Sequence, residues 1–243
     1  MEYTNTVSFM VRGDYALFTD PITKIGGEKF TYPIPTYEAL KGVIHSIYWK
    51  PTIIWYIDRV RVMNEIKTMS KGVRAVYPVS GRAAMPHYYT YLYDCEYQVQ
   101  AHFEWNTNRP ELACDRNEGK HYEIAKRMIK KGGRRDVFLG TRECQAEVEP
   151  CVFGKGKGFY DLDDTKKTFG LMYHGITYAD EAYSPETKGR MTTRFWFPEM
   201  NHGIIEFPRP EEIPVEMCKF LHEMDIKPFE PDVNMTGVIK EAV

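Results

Sequence analysis

The stretch "DCEYQVQAHFEW", residues 94–105, constrains the fold more than any other part of the chain. Cys95, Tyr97, Val99, Ala101, Phe103 and Trp105 alternate without a break with Asp94, Glu96, Gln98, Gln100, His102 and Glu104. Side chains on a strand point to opposite faces in turn, so this period of two predicts a strand with one core face and one wet, acidic face.

The neighbouring segments extend the pattern. "TVSFMVRG" puts Val7, Phe9 and Val11 on one side of a strand. Thr36 is the expected N-cap of a helix in "TYEALKGVIHSIYWK", where Tyr37, Leu40, Ile44 and Ile47 share a face and Pro51 forces a stop. "TIIWYIDRVRVM" is β-branched and strand-like. A second helix is expected in "GKHYEIAKRMIKKGGRR", residues 119–135, and another strand in "CQAEVEPCVF". Strand, helix, strand, strand, helix, strand is the order of an α+β, ferredoxin-like (RRM-like) βαββαβ domain, expected over residues 1–153. Residues 67–86, with Lys67, Lys71, Arg74 and Arg82, read as a basic hairpin or loop inserted into it.

Residues 154–243 are expected to form a small antiparallel β domain. It would contain "KTFGLMYHGITY" and a hairpin that pairs "MTTRFWF" with "GIIEFPRP" across "PEMNHG". Prolines at 208, 210, 214, 228 and 231 predict a tail draped over the surface.

Composition narrows the function. A net charge of −2 and a pI near 6.4 exclude a general polyanion binder, so any anionic partner must be met by a local patch. The 17 tyrosines leave many rings available for stacking. Five cysteines without a CxxC pair argue against both a disulfide framework and a zinc ribbon, and for buried reduced thiols. The N-terminus has no apolar signal core and no apolar run approaches a membrane span. A soluble, cytoplasmic protein without a membrane partner is expected.

The local patch is residues 119–135. Lys120, Lys126, Arg127, Lys130, Lys131, Arg134 and Arg135 face Glu123 as their lone carboxylate within the stretch. His121, Ile124, Ala125, Met128 and Ile129 recur at helical spacing, so His121 heads the apolar stripe. Two readings stand. His121 is a satisfied boundary residue beside a solvated cationic face, or an anion lies at the helix N-terminus next to a histidine able to move a proton. The second suits RNA cleavage, because the 2′-OH is already tethered to its phosphate and needs only an acid, a base and charge stabilisation.

No HExxH, no short-spaced His/Asp pair and no carboxylate cluster is present, so no metal or other cofactor is expected; "DLDD" at 161–164 reads as a turn. Lys41, His45 and Tyr48 form a polar-aromatic line on the first helix. "KKGGRRDVFLGTR" and "FGKGKGFYD" fit no phosphate-binding P-loop and read either as turns or as clamps for a nucleic-acid backbone. The acidic face of residues 94–105 would repel phosphate, so RNA is expected at the helix end and basic loops instead of the sheet.

Several long blocks then carry a resemblance: "DYALFTDPITKIGGEKFTYPIPTYEALKGVIHSIYWKPTI", "MSKGVRAV", "DRNEGKHY" and "GGRRDVFLGTREC". Over about residues 5–210 the chain resembles the Cas five family of CRISPR-associated proteins, in its subtype I-C (Dvulg) branch. The resemblance implies a member of the repeat-associated (RAMP) superfamily, a ferredoxin-like domain followed by a small β domain. It implies a metal-independent endoribonuclease that cuts CRISPR repeat precursor RNA at the base of the repeat hairpin, leaving a 2′,3′-cyclic phosphate and a 5′-OH. It also implies that the protein stays on the crRNA 5′ handle, beside the backbone and large subunits of a type I-C surveillance complex.

The family's active-site tyrosine falls on Tyr48 in "SIYWKP", and its Lys-His pair on Lys120 and His121 in "EGKHY"; His45 is outside that pattern. His121 would serve as acid or base, Lys120 would stabilise developing phosphorane charge, and Tyr48 would orient the 2′-OH. The cations expected to hold RNA are Arg116, Lys130, Lys131, Arg134, Arg135, Arg142, Lys24 and Lys29. The alternatives are a non-catalytic subunit that binds the handle, and a protein that binds or cuts DNA.

Overall fold

The computed structural model of the chain describes residues 5–24, 27–74 and 86–227. In chain order the main elements are β1 (Val7–Ala16), α1 (Tyr37–Ile47), β2 (Ile53–Val62), β3 (Thr68–Arg74), β4 (Pro86–Trp105), α2 (Glu118–Lys131), β5 (Val137–Phe138) and β6 (Gln145–Pro150). They are followed by β7 (Lys167–Thr168), β8 (Met172–Thr177), β9 (Arg190–Trp196), β10 (Glu199–Met200), β11 (Ile204–Glu206) and β12 (Cys218–Glu223).

A seven-stranded sheet runs β11-β2-β4-β1-β6-β5, with β3 paired to the N-terminal half of β4. Every pairing in it is antiparallel. The alternating stretch is the C-terminal half of β4, and its apolar face is core as expected. Phe9 and Val11 of β1, Trp55 and Ile57 of β2, and Val99, Ala101 and Phe103 of β4 are buried with Leu40, Ile44 and Ile47 of α1 and Ala125 and Ile129 of α2. Burying each such large side chain contributes about 1.5–3 kcal/mol.

The helices begin and end where their side chains allow. The Thr36 hydroxyl accepts from the Ala39 amide, a cap that contributes about 1 kcal/mol. Asn117 caps α2 in the same way through the Lys120 amide. Gly132 closes α2 in the left-handed region at φ 88°, with the Gly133 amide donating back to Met128.

The other face of β4 departs from the expected wet, acidic surface. Gln98 and His102 are buried. Arg61 of β2 crosses beside Gln98 and donates to the carbonyls of Lys155 and Gly156 and, at 2.6 Å, to the Asp161 carboxylate. The "FGKGKGFYD" loop therefore spends its backbone on the protein itself, and its Gly154 amide donates to Gln98. Nearer the end of the strand, His102 meets Asp58, which a bulge in β2 brings alongside, and Glu104 takes two hydrogen bonds from Arg209. Polar residues alternating on a strand signal the absence of an apolar cover, and here the cover is polar.

The expected hairpin between "MTTRFWF" and "GIIEFPRP" does not form. β9 pairs with β8 and β12, while β11 pairs with β2 at the edge of the large sheet. Ile205 is fully buried in the main core, and that burial selects the β2 edge as the partner of β11. β7 and β10 make a separate two-stranded ribbon. The proline-rich tail also contains a strand, β12, before the described residues end; Pro228 and Pro231 lie outside them. The basic hairpin is β3 with the start of β4, and Arg82 likewise lies outside the described residues. Of the five cysteines, which are all free, Cys95 and Cys144 are buried, Cys114 is exposed, and Cys151 and Cys218 are partly exposed, so burial does not hold for the whole set. Among the described residues, no helix is long and apolar enough to cross a membrane.

Candidate active site

Tyr48 is the C-cap of α1. Its backbone turns extended there, its N–H donates to the Ile44 carbonyl, and its own carbonyl accepts from the Trp55 indole at 2.8 Å. Locked at both ends, the residue aims its ring at the first turn of α2. The Tyr48 hydroxyl and His121 Nδ1 are 2.7 Å apart. His121 Nε2 is 2.8 Å from the backbone carbonyl of Asp115, which can only accept. Nε2 therefore carries the proton, Nδ1 presents its lone pair, and the tyrosine hydroxyl donates to it.

The His121 ring is 0% exposed, walled by Phe103 and Trp105 of β4 in edge-on contacts. Burial pushes its pKa below the usual histidine value; the Asp115 contacts oppose this and the nearby Lys120 and Lys50 charges reinforce it. Burial and the Asp115 charge raise the Tyr48 hydroxyl, so it stays protonated through the working pH range.

Lys120 joins the pair through Asp115. Its ammonium lies 2.8 Å from Asp115 Oδ1, and Thr52 donates to Oδ2, also at 2.8 Å. Burial alone would raise the Asp115 carboxyl, but hydrogen bonds from Lys120 and Thr52 and the neighbouring positive charge hold it below its ordinary value. Lys50 completes the cluster. It is half-buried and lowered by burial, with Asp115 opposing and the Lys120 and Arg134 charges adding to the effect.

The structure thus brings Tyr48, Lys120 and His121 together. It does not leave an open helix N-terminus for an anion at the Lys120 amide, because Asn117 already occupies that donor. Nor do Lys41, His45 and Tyr48 act as one line. Lys41 is buried against Glu181, and the His45 ring lies near Trp49.

The cations divide by location. The amides of Arg134 and Arg135 both donate to the Ser46 carbonyl in the last turn of α1, which carries the Gly-Gly-Arg-Arg loop to the Tyr48 end of the site. These two residues line a cleft of about 850 Å³ that runs on to Arg12 and β6. Lys130 lines a second groove, of about 650 Å³, with Tyr122, Arg59 and Phe153; Lys131, the last residue of α2, is exposed. Arg116 lies next to the site, but its guanidinium donates to the carbonyls of Asn106 and Arg109 and braces the turn before α2. Arg142 is on the exposed turn between β5 and β6, over Phe138. Lys24 and Lys29 are at the opposite end of β4 from His121, with Lys29 over Tyr89.

Residues 6–208 match the family described as CRISPR-associated protein (Cas_Cas5). The chain belongs to this Cas5 family. Among curated Cas5 proteins it is similar to the CRISPR pre-crRNA endoribonuclease Cas5d of Mannheimia succiniciproducens, at 26% identity over 84% of this chain and 95% of that one. It is also similar to the protein of the same name from Thermus thermophilus, at 26% identity over 82% of this chain and 89% of that one. A crystal structure described as a CRISPR-associated protein superposes with a TM-score of 0.71 at 33% identity, covering 86% of this chain and 94% of the other. A functionally uncharacterized protein from Streptococcus mutans superposes with a TM-score of 0.70 at 36% identity, covering 88% and 96% of the two chains.

Sequence reasoning missed Asp115, Thr52, Asn117 and Lys50. Asp115 ends a short 3-10 turn that no periodicity marks, whereas Asn117 had a signal, since asparagine is a preferred N-cap and stands directly before α2. Lys50 had a signal, its place two residues after Tyr48 in "SIYWKP". Among the described residues no group of three His, Cys, Asp or Glu side chains could hold a metal ion.

Proposed function

We propose that the chain is an endoribonuclease that cuts CRISPR repeat precursor RNA at the base of the repeat hairpin, by attack of the 2′-OH on the adjacent phosphate and without a metal. The observation that carries this is the 2.7 Å contact between Tyr48 and His121, with the imidazole proton held on Nε2 and Lys120 tethered alongside. The curated Cas5 relatives named pre-crRNA endoribonucleases support the same reading.

In the reaction the 2′-oxygen bonds to phosphorus and the bond to the 5′-oxygen breaks. The products are a 2′,3′-cyclic phosphate and a 5′-OH, and the proton lost by the 2′-OH ends on the departing 5′-oxygen. The Tyr48 hydroxyl orients the nucleophile, and His121 Nδ1, the acceptor of that hydroxyl, draws the proton through it. Lys120 leaves Asp115 for the charge that grows on the phosphorane oxygens. Arg134 and Arg135 hold the RNA beside the Tyr48 end, with Lys130, Lys131 and Arg142 along its path. Arg116, Lys24 and Lys29 were expected among these cations, and their positions give them less to do.

The product stays bound, as the crRNA 5′ handle, in a type I-C surveillance complex in the cytoplasm. A ferredoxin-like unit over 1–153 is supported by the antiparallel order β2-β4-β1-β6, with α1 between β1 and β2 and α2 between β4 and β6. The β part proposed for residues 154–243 is supported, within the described residues up to 227, by the β8-β9-β12 sheet and the β7-β10 ribbon, while β11 joins the large sheet through β2.

One observation favours a non-catalytic handle-binding role instead: His121 is wholly buried and both its nitrogens are satisfied within the protein. Incubating the protein with its cognate repeat RNA in EDTA separates the two. The expected result is a single cut with a cyclic phosphate, lost when one 2′-deoxy sugar precedes the scissile phosphate and lost in His121→Ala. Cleavage of the deoxy substrate overturns the 2′-OH route. Bound but uncut RNA establishes the non-catalytic role, and full activity in His121→Ala overturns the site.

A further inference from the structure

Asp115 touches His121, Lys120 and Thr52, and it does so with three different oxygens. Its backbone carbonyl takes the His121 Nε2 proton at 2.8 Å, Oδ1 holds the Lys120 ammonium at 2.8 Å, and Oδ2 accepts from Thr52 at 2.8 Å while lying 3.5 Å from His121 Nε2. Its place in the chain is fixed independently of these contacts. It ends the short 3-10 turn Pro110–Asp115, and its carbonyl also accepts from the Asn117 amide, the residue that caps α2.

We propose that Asp115 is the positioning residue of the site: its carbonyl selects the tautomer of His121, and its carboxylate stores Lys120 and balances positive charge on the imidazole until a phosphate replaces it. This inference rests on the catalytic reading of His121 and Lys120 given above.

The charge arithmetic supports the assignment. The titratable groups facing His121 are Tyr48 from the end of α1, Lys50 from the loop after it, Asp115 from the turn before α2, and Lys120 from α2 itself; the rings of Phe103 and Trp105 close the β4 side. Arg134 adds its charge to the surroundings of Tyr48 and Lys50. Within this group, three cations surround one carboxylate. An imidazole that must accept a proton there needs that carboxylate, and an ammonium that must meet a phosphate needs a partner weak enough to release it. Asp115 is partly open to solvent, at 24% side-chain exposure, which keeps the Lys120 pair exchangeable.

The test compares wild type with Asp115→Asn, which preserves the backbone carbonyl and an acceptor for Thr52 but removes the charge. Two quantities are read: the tautomer and titration midpoint of His121 by nitrogen NMR, and the pH profile of single-turnover cleavage of the repeat RNA. Wild type is expected to show neutral His121 protonated on Nε2. In Asp115→Asn the NMR midpoint and the kinetic limb assigned to His121 both move to lower pH, by about one pH unit, while RNA affinity is equal or tighter. Asp115→Glu is expected to restore much of the shift.

A merely structural role would weaken RNA binding and leave the limb in place. An unmoved NMR midpoint overturns the role of Asp115 alone, whereas Nδ1 protonation in wild type overturns both that role and the proton path from Tyr48 to His121. A moved midpoint with an unmoved kinetic limb overturns the catalytic reading of His121, and the positioning role falls with it. Should Asp115→Asn fail to fold, the wild-type tautomer and the Asp115→Glu profile decide the question.

Discussion

Tyr48 and His121, 73 positions apart in the chain, meet through a 2.7 Å hydrogen bond in a buried contact. The bond is possible because Trp55 of β2 holds the end of α1 while Phe103 and Trp105 of the adjacent β4 wall the first turn of α2. It also has a direction, since the carbonyl on the far side of the imidazole leaves Nδ1 as the acceptor.

Removing the donor should therefore disable the pair without unfolding the protein. Tyr48→Phe is expected to lower single-turnover cleavage of repeat RNA by about 10²-fold or more and to cost roughly 1 kcal/mol of stability. Thermal melting beside the cleavage assay checks both. Unchanged cleavage would show that the phenol is only a packing residue.

The two classes of arginine should separate in salt titrations. Arg134→Ala or Arg135→Ala is expected to weaken RNA binding and flatten its dependence on log salt by about 0.7 per lost phosphate contact. Arg116→Ala should instead cost about 1–3 kcal/mol of stability, because its guanidinium holds two carbonyls of the turn before α2. An altered salt slope in Arg116→Ala would place that residue on the RNA.

Acid should penalise folding through His45, whose pKa burial and the Lys41 charge push down to about 3. A histidine with a depressed folded value must lose its proton to fold, so its contribution is harmless above the unfolded value near ~6.5 and grows costly as pH falls below it. At pH 5 the cost is about 2 kcal/mol. His45→Asn should escape it, gaining that much on wild type between pH 7.5 and pH 5 in denaturant titrations. Parallel curves for the two proteins would contradict the burial account.

The polar cover of the sheet should prove a structural clamp. Arg61→Ala leaves Asp161, Gln98 and the carbonyls of Lys155 and Gly156 without their shared donor. The expected loss is on the order of 3 kcal/mol, or roughly 6–12 °C in melting temperature for a chain of this size. A shift of a degree or less would mean that the loop is held by other contacts.

What the sequence determined by itself was local or repetitive: the alternation in β4, the Thr36 cap and the stripe from His121 to Ile129. Each follows from the spacing of side chains along one element, and the long matching blocks pointed to Tyr48, Lys120 and His121 without any geometry. Tertiary structure decided the rest, for a physical reason. A polar side chain carries no record in sequence of which distant partner will satisfy it. Lys41 could have joined Tyr48 but found Glu181, and Arg61 made the wet face of β4 a buried one. β11 left its expected hairpin for the β2 edge, where Ile205 is buried in the main core. Asp115, in a turn without periodicity, became the hub of the site because the start of α2 folds its carbonyl and carboxylate onto His121 and Lys120.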